Sequence, residues 1–218
     1  TADVIKAWGR LGYPRRALRL HECAKVITSQ YHGQIPQSEV QLRALPGIGE
    51  YTAAAIMAFA FSQRSLVLDI NIRRFFARCF DGVESPKASA SQSEKTKYDA
   101  LIPEKNPHVW AAATMELGAV ICTSQSPKCG ICPVANSCKW RSLDYPKSDI
   151  VKRRQSWHGT DRQCRGTVVQ ALRENEILTK NQISQLWDVP SQLEKALLTL
   201  LDDGLIELRG KNKFSLPR

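Results

Sequence analysis

The stretch CTSQSPKCGICPVANSC, from Cys122 to Cys138, contains four cysteines at the spacing C-x6-C-x2-C-x5-C. Because nothing in the chain suggests a secreted disulfide scaffold, this cluster favours a metal centre over disulfide bonds. Zinc and iron–sulfur clusters both accept four thiolates. Zinc sites usually pair two C-x2–4-C units, and only Cys129 and Cys132 form one here, so the spacing favours an iron–sulfur cubane and leaves zinc open. The remaining cysteines are predicted to be packed, idle thiols: Cys23, Cys79 and Cys164.

A second stretch, LPGIGEYTAAAI, has the residue types of an anion-binding turn. Gly47 and Gly49 let backbone N–H groups approach a phosphate with no Cβ in the way, and the helix that follows adds its positive dipole end. Such a turn, preceded by Pro46, would hold one DNA phosphate without reading base sequence. An ordinary tight turn between two helices is the alternative that this pattern leaves open.

Asp69 is the third candidate, a carboxylate among apolar residues in LVLDINIRRFFAR. Just before a predicted basic helix, it suits the N-cap position, which requires no chemistry. A carboxylate in apolar surroundings beside a DNA-binding face could also stabilise a developing cation, and cap hydrogen bonds would help to keep it ionised. The basic residues of that helix are predicted to form a solvated or phosphate-facing stripe: Arg73, Arg74 and Arg78.

A largely helical scaffold must position these residues. Apolar residues recur at helical intervals through the first part of the chain, and a small-residue helix follows Tyr51. A Ser-rich loop is predicted over residues 81–95, helix is predicted to resume around Tyr98, and a further helix is predicted from Val109 to Val120. The predicted fold class is therefore all-α.

The chain divides into two predicted domains. Residues 1–140 form the helical domain, and residues 141–160 read as a polar, basic linker. Residues 161–218 predict three helices followed by a hairpin around a Gly-Lys-Asn turn, which together make a winged-helix-like module.

Composition indicates the class of partner. The chain has 218 residues, a formal net charge of +10 and a sequence pI near 9.4, which favours a polyanion such as nucleic acid. No apolar run approaches the roughly 20 residues that a membrane span requires. With no secretory signal recognisable, the sequence predicts an intracellular protein, cytoplasmic or nucleoid-associated in a bacterium, with no membrane partner.

The order of LPGIGEYTA, LDINIRR and MELGAVICT, leading into the cysteine spacing, resembles that of helix-hairpin-helix DNA glycosylases with an iron–sulfur loop. The resemblance runs from about Val4 to Trp140. AWGRLGYPRRALRLHECA and MELGAVICT are more similar to the A/G-specific adenine glycosylases than to endonuclease III. Endonuclease III-type enzymes carry a Schiff-base lysine where this chain has Tyr51, so the resemblance implies a monofunctional glycosylase without lyase activity.

The resemblance also implies a substrate and a set of roles. The substrate would be adenine mispaired with 8-oxoguanine or guanine in double-stranded DNA, flipped out and released by hydrolysis of its N-glycosidic bond. Asp69 would stabilise the positive sugar and Tyr51 would line the pocket of a monomeric enzyme. The ligands of a [4Fe–4S] cluster would be Cys122, Cys129, Cys132 and Cys138. The DNA contacts would be Pro46, Gly47, Gly49, Arg73, Arg74 and Lys128.

Three features depart from the family pattern. The family's catalytic acid is a glutamate on a helix that would precede Thr1, and Glu22, Glu39 and Glu50 do not match its motif, so this chain alone is expected to lack that acid. A winged-helix-like module takes the place of the domain with which many members recognise 8-oxoguanine. Ile70 replaces a small or polar residue. A non-catalytic iron–sulfur DNA-binding protein, a glycosylase fragment and a glycosylase for another lesion stay open as alternatives.

Overall fold

The computed structural model describes residues 1–148 and 157–218, which fall into two compact units. One unit contains residues 1–34, Leu45–Gly47 and the described residues from 157 onward; the other contains residues 35–44 and 48–148. Helices predominate and one small sheet is present, which confirms the predicted fold class. Part of the predicted linker, residues 149–156, lies outside the described residues.

The first unit begins with two helices, α1 (Ala2–Trp8) and α2 (Arg15–Gln30). The turn between them has left-handed backbone at Gly12 and Tyr13, with φ of 76° and 45°. The indole Nε1 of Trp8 donates to the carbonyl of Gly12 at 2.8 Å and closes this turn. The GYP sequence therefore separates two helices, as its composition indicates.

The C-terminal part of the first unit contains three helices and three short strands. The helices are α9 (Asp161–Glu174), α10 (Lys180–Ser184) and α11 (Pro190–Asp202), and the strands are β1 (Leu178–Thr179), β2 (Glu207–Leu208) and β3 (Lys213–Ser215). The antiparallel sheet has the order β1-β3-β2, with Phe214 opposite both Leu178 and Leu208. The three helices and the β2–β3 hairpin agree with the predicted winged-helix-like architecture, and β1 is an addition to it.

One hydrophobic core joins the N-terminal helices to this module. Ile5 and Ala17 are fully buried in the same cluster as Val168 and Leu200. The guanidinium Nε of Arg173 also donates to the carbonyl of Ile5 at 3.0 Å. The sequence did not indicate this packing, and the domain boundaries at residues 140 and 161 stay a prediction.

The second unit is helical throughout its regular structure. Its helices are α3 (Glu39–Ala44), α4 (Glu50–Ala55), α5 (Ile70–Phe76), α6 (Gln92–Asp99), α7 (Pro107–Glu116) and α8 (Lys139–Ser142). Three of them continue as five-residue π-helical segments, over Ile56–Ala60, Ala77–Asp81 and Leu117–Ile121. Such segments in helices are frequent at functional sites.

Aromatic side chains fill the centre of the second unit. Phe76 is 2% exposed, and its ring centroid lies 4.9 Å from that of Tyr98. Helix α6 begins at Gln92, so the prediction that helix resumes around Tyr98 is wrong. The reason is an N-cap inside the Ser-rich segment, where the Ser91 hydroxyl accepts from the backbone N–H of Glu94 at 3.2 Å. The helix predicted from Val109 to Val120 is confirmed as α7 with its π-helical extension.

Candidate active site and iron–sulfur loop

The four clustered cysteines line one cavity in the second unit. All four are free and half-buried, and the cavity wall also includes Phe75 and Trp140. Two single turns of 3₁₀-helix, Cys129–Ile131 and Ala135–Ser137, bend the loop around this cavity. Among residues 1–148 and 157–218, no three His, Cys, Asp or Glu side chains stand close enough to hold a single metal ion. The four thiols surround a common space, and four thiolates are a donor set that an iron–sulfur cluster accepts.

Arg78 supplies the polar contact to this cavity. Its Nη1 lies 3.4 Å from Cys122 Sγ and donates to the carbonyl of Thr123 at 2.8 Å, while its guanidinium lies 4.5 Å from the Trp140 ring centroid. Burial raises the pKa of the Cys122 thiol, and the Arg78 hydrogen bond opposes that shift. A cation that donates to sulfur favours the thiolate that a cluster needs.

Cys79 is a fifth thiol on the wall of the same cavity. It is 5% exposed, and burial together with the neighbouring thiols raises its pKa to about 12. It is therefore a neutral, packed thiol near neutral pH, as its apolar sequence context predicts.

Asp69 occupies the N-cap of α5 with a half-buried side chain. Its Oδ1 accepts from the backbone N–H of Ile72 at 2.6 Å, and its Oδ2 accepts from Nδ2 of Asn71 at 2.8 Å. The predicted cap is confirmed. Both bonds stabilise the ionised carboxylate, so the capping role and a charge-stabilising role are compatible in one side chain.

Arg74 connects Asn71, which donates to the Asp69 carboxylate, to the cysteine loop. Its Nη2 donates to Asn71 Oδ1 at 3.0 Å and to the carbonyl of Gly118, and its Nε donates to the carbonyl of Cys122 at 2.7 Å. Burial, followed by the charge of Arg78, lowers the pKa of Arg74. A continuous chain of hydrogen bonds thus runs from the first cysteine of the loop to Asp69.

Gly118 makes this arrangement sterically possible. A Cβ at this position would stand 2.5 Å from the carbonyl oxygen of Asn71 and 2.7 Å from its carbonyl carbon. No L side chain fits that distance. Glycine therefore lets the end of α7 approach the first turn of α5.

Tyr51 is the second residue of α4 and is 45% exposed. Burial raises its pKa, and the negative charge of Asp69 adds to that shift. Its neighbour Glu50 is engaged elsewhere, since Lys95 Nζ donates to both of its carboxylate oxygens at 2.6 and 2.7 Å. The two predicted catalytic residues thus lie in the same unit, Tyr51 in the first turn of α4 and Asp69 at the N-cap of α5, and their catalytic roles stay a prediction.

The glycine turn has the backbone that its sequence predicts. Gly47 has φ of 78°, and a Cβ there would stand 2.7 Å from Cβ of Arg19. Gly49 is the extended N-cap of α4, and nothing crowds it within 4 Å. Glycine at position 47 is thus required by backbone conformation and by packing, whatever the turn binds.

The predicted solvent-facing stripe on α5 is wrong. Arg73, Arg74 and Arg78 are 6%, 7% and 1% exposed. Arg73 pairs with Glu94 at 2.9 Å and donates to the carbonyl of Lys87 at 3.0 Å. These guanidinium groups point inward because backbone carbonyls and a carboxylate are there to accept from them, so they hold the second unit together instead of facing phosphate.

Comparisons with known proteins agree with this geometry. Residues 30–59 match the helix-hairpin-helix motif, and residues 122–138 match the iron-sulfur binding domain of endonuclease III. A thermostable thymine-DNA glycosylase gives a TM-score of 0.59 at 26% identity over 65% of this chain and 66% of that one. A trapped endonuclease III–DNA covalent intermediate gives 0.54 at 21% identity over 67% and 68%, which supports the fold.

Curated relatives decide the family. An adenine DNA glycosylase of Mycolicibacterium smegmatis is 44% identical over 218 residues, which is 99% of this chain and 73% of the relative. The chain belongs to the adenine DNA glycosylase family. The family protein of Mycobacterium tuberculosis is 42% identical over all of this chain and 72% of its own length, and the Homo sapiens protein is 36% identical over 64% of this chain and 26% of its own.

Membership in the adenine DNA glycosylase family confirms the predicted enzyme class, a DNA glycosylase of base-excision repair. The iron–sulfur match begins at Cys122 and ends at Cys138, and all four thiols are present, which confirms the [4Fe–4S] prediction over zinc. No helix within the described ranges is long and apolar enough to cross a membrane.

Sequence reasoning missed two residues of this adenine DNA glycosylase site. Asn71 fixes the Asp69 carboxylate and Gly118 permits its close packing. The signal for Asn71 was an amide two residues after a candidate carboxylate. The signal for Gly118 was an isolated glycine in a helical stretch, which often marks a close backbone approach.

Proposed function

We propose that the chain releases adenine mispaired with 8-oxoguanine or guanine from duplex DNA, by hydrolysis of the N-glycosidic bond and without a lyase step. The observation that carries the proposal is the Asp69 carboxylate, held by Ile72 and Asn71 at the N-cap of α5, in the same unit as the half-exposed Tyr51 of α4. The preference for adenine is supported by the similarity to the adenine DNA glycosylases of Mycolicibacterium smegmatis and Mycobacterium tuberculosis.

Asp69 would act on the sugar. As the N-glycosidic bond breaks, positive charge develops on the sugar ring, and a fixed carboxylate stabilises that charge without having to reorganise. Tyr51 would line the pocket as a neutral phenol, because its raised pKa keeps the hydroxyl protonated near neutral pH. It offers no amine to the sugar, so base release would leave the strand intact.

No glutamate of this chain is proposed as the acid that protonates the departing adenine. Glu50 binds Lys95, and Glu22 and Glu39 form exposed ion pairs with neighbours on their own helices. All three carboxylates are therefore paired with a neighbouring cation. A general acid must instead lie within reach of the group that receives its proton.

The iron–sulfur loop and the glycine turn would organise binding. Cys122, Cys129, Cys132 and Cys138 would hold the cluster, which supplies four iron–thiolate bonds that fix the loop. Phosphate contacts would come from Lys128, exposed on that loop, and from the backbone of the Pro46–Gly49 turn. We propose a monomer, located in bacteria with the nucleoid that contains its DNA substrate.

The test is single-turnover base release from duplexes with adenine opposite 8-oxoguanine, guanine or cytosine. It requires protein that includes whatever residues the gene encodes before Thr1. Alkali-dependent strand cleavage opposite 8-oxoguanine and guanine, with no cleavage before alkali, is the expected result. Binding without base release would support the non-catalytic alternative. Release of a base other than adenine would show that the enzyme acts on a different lesion.

A further inference from the structure

The proposed chemistry assigns no role to the C-terminal module, and its third helix is poorly suited to DNA. Along α11, the polar side chains near its start are engaged internally: Gln192 Nε2 and Lys195 Nζ both donate to Asp161, at 2.8 and 2.7 Å. The exposed face that is left presents Leu198, 63% exposed, and the carboxylate of Asp202. A phosphate or a base edge would find few donors there.

The wing, defined as residues 207–215, differs in charge. Its tip contains Lys211 and Lys213, both exposed, and the side-chain amine of neither forms a hydrogen bond or an ion pair with any part of the chain that the structure describes. Arg209 is committed to the hairpin, since it pairs with Glu207 and its Nε donates to Ser215 Oγ at 3.1 Å. Two cations at the tip are therefore available to an external anion.

The wing is also anchored rigidly. Phe214, Ser215 and Leu216 are 6%, 5% and 5% exposed, so β3 is held in the core of the first unit. The backbone N–H of Lys180 donates to the carbonyl of Asn212 at 2.9 Å, which ties the tip to the start of α10. Binding through this tip costs little backbone entropy because its conformation is already fixed.

We propose that the C-terminal module binds the phosphate backbone of duplex DNA through Lys211 and Lys213 of the wing, and not through α11. The inference rests on the proposed function for its partner, duplex DNA. Wing contacts to phosphate add affinity that depends on salt and not on base sequence. The module thus adds a contact to duplex DNA that does not depend on base sequence, while base selection stays with the glycosylase site.

The test compares two double variants, made in the same protein as the activity test, with whatever residues the gene encodes before Thr1 included. The probe is a fluorescent duplex of random sequence. Lys211→Gln with Lys213→Gln removes the wing cations. Lys180→Gln with Lys195→Gln is the matched control, because it removes the same charge from α10 and α11. Fluorescence anisotropy at stepped NaCl concentrations gives the slope of log K against log salt. The wing variant should lose about two units of slope and bind on the order of tenfold to a hundredfold more weakly at 0.1 M salt.

The control should keep the parental slope, and both variants should keep the parental melting temperature and saturating rate of adenine release. Equal losses of slope and affinity in the two variants would show that only the net charge of the protein matters, and would overturn the proposal. A loss confined to the control would assign binding to the helices, and no loss in either would exclude the module from the interface. If the parental protein, with whatever residues the gene encodes before Thr1 included, binds DNA without releasing adenine, the proposed function is refuted, and the wing result can still be read from binding alone.

Discussion

At the scale of single residues, the Asp69 carboxylate accepts a hydrogen bond on each oxygen, from the backbone of Ile72 and from Asn71. The first bond caps a helix and the second fixes the plane of the carboxylate. A carboxylate held in this way has little freedom to turn. Under the proposed function, stability and chemistry would depend on the same side chain, and a substitution must separate the two roles.

Asp69→Asn separates the two roles because asparagine also caps helices and keeps the shape of the side chain. We expect adenine release to fall by on the order of a hundredfold or more, since the charge that stabilises the sugar cation is lost. Duplex affinity should stay near the parental value, because the lost interaction belongs to the transition state. Single-turnover kinetics and anisotropy on the same duplex measure both quantities.

The matched control is Ser91→Ala, which removes the side-chain cap of α6. It should cost about 1 kcal/mol of unfolding free energy and leave the rate of adenine release unchanged. Parental turnover in Asp69→Asn would show that Asp69 is a cap and nothing more.

Asn71→Ala tests positioning. The substitution removes the donor to Asp69 Oδ2 and the acceptor for Arg74, while the backbone cap from Ile72 remains. We expect a fall in the single-turnover rate of about tenfold, with little change in duplex affinity. A double-mutant cycle with Asp69→Asn checks the mechanism: if Asn71 acts through the carboxylate, its effect should vanish once the charge is gone. Additive effects would contradict a positioning role.

At the scale of elements, α5 and the π-helical end of α7 are held at a separation that only glycine permits. Gly118→Ala would place its Cβ 2.5 Å from the carbonyl oxygen of Asn71, so α5 must shift. We expect a loss of about 1–3 kcal/mol in unfolding free energy from overpacking, together with slower adenine release, because Asn71 moves with the backbone. Chemical denaturation and single-turnover kinetics measure the two effects.

Gly166→Ala provides the comparison for that substitution. Gly166 lies inside α9, and nothing stands within 4 Å of a Cβ built there. Its replacement should raise the unfolding free energy by roughly 0.5–1 kcal/mol through helix propensity alone. If Gly118→Ala were equally benign, the close approach of α7 to α5 would not constrain the site.

The sequence indicates some of these elements and not others, for physical reasons. Cysteine spacing and a carboxylate before a helix are local features, and they predicted the cluster loop and the Asp69 cap. The inward orientation of the Arg73 and Arg74 side chains could not be predicted from the local sequence. It depends on carbonyl and carboxylate acceptors that other segments of the chain provide. The packing role of Gly118 could not be predicted for the same reason, because the backbone that it approaches, at Asn71, is distant in sequence.

At the scale of the whole molecule, the positive charge is only partly on the surface, and the hydrophobic core of the first unit contains residues from both ends of the described chain. The net charge of +10 favours DNA, yet several of the arginines that contribute to it are buried and serve the fold. The hydrophobic core of the first unit combines the two ends of the described chain, with Ile5 and Ala17 beside Leu200. The N-terminal helices and the C-terminal module are therefore expected to unfold together.

Leu200→Ala tests this cooperativity. Leu200 is fully buried in the last turn of α11, so its truncation should cost about 2–5 kcal/mol through lost burial and the cavity that remains. Because Ile5 and Ala17 belong to the same core, amide protons of α1 and α2 should lose exchange protection together with those of α9 and α11. Native-state hydrogen exchange with mass spectrometry reads each helix separately. The exposed Leu198→Ala, on the outer face of the same helix, should leave protection in α1 and α2 unchanged. If α1 and α2 kept full protection in Leu200→Ala while α9 and α11 lost theirs, the C-terminal module would be an autonomous domain, and the shared core would not couple the two ends of the chain.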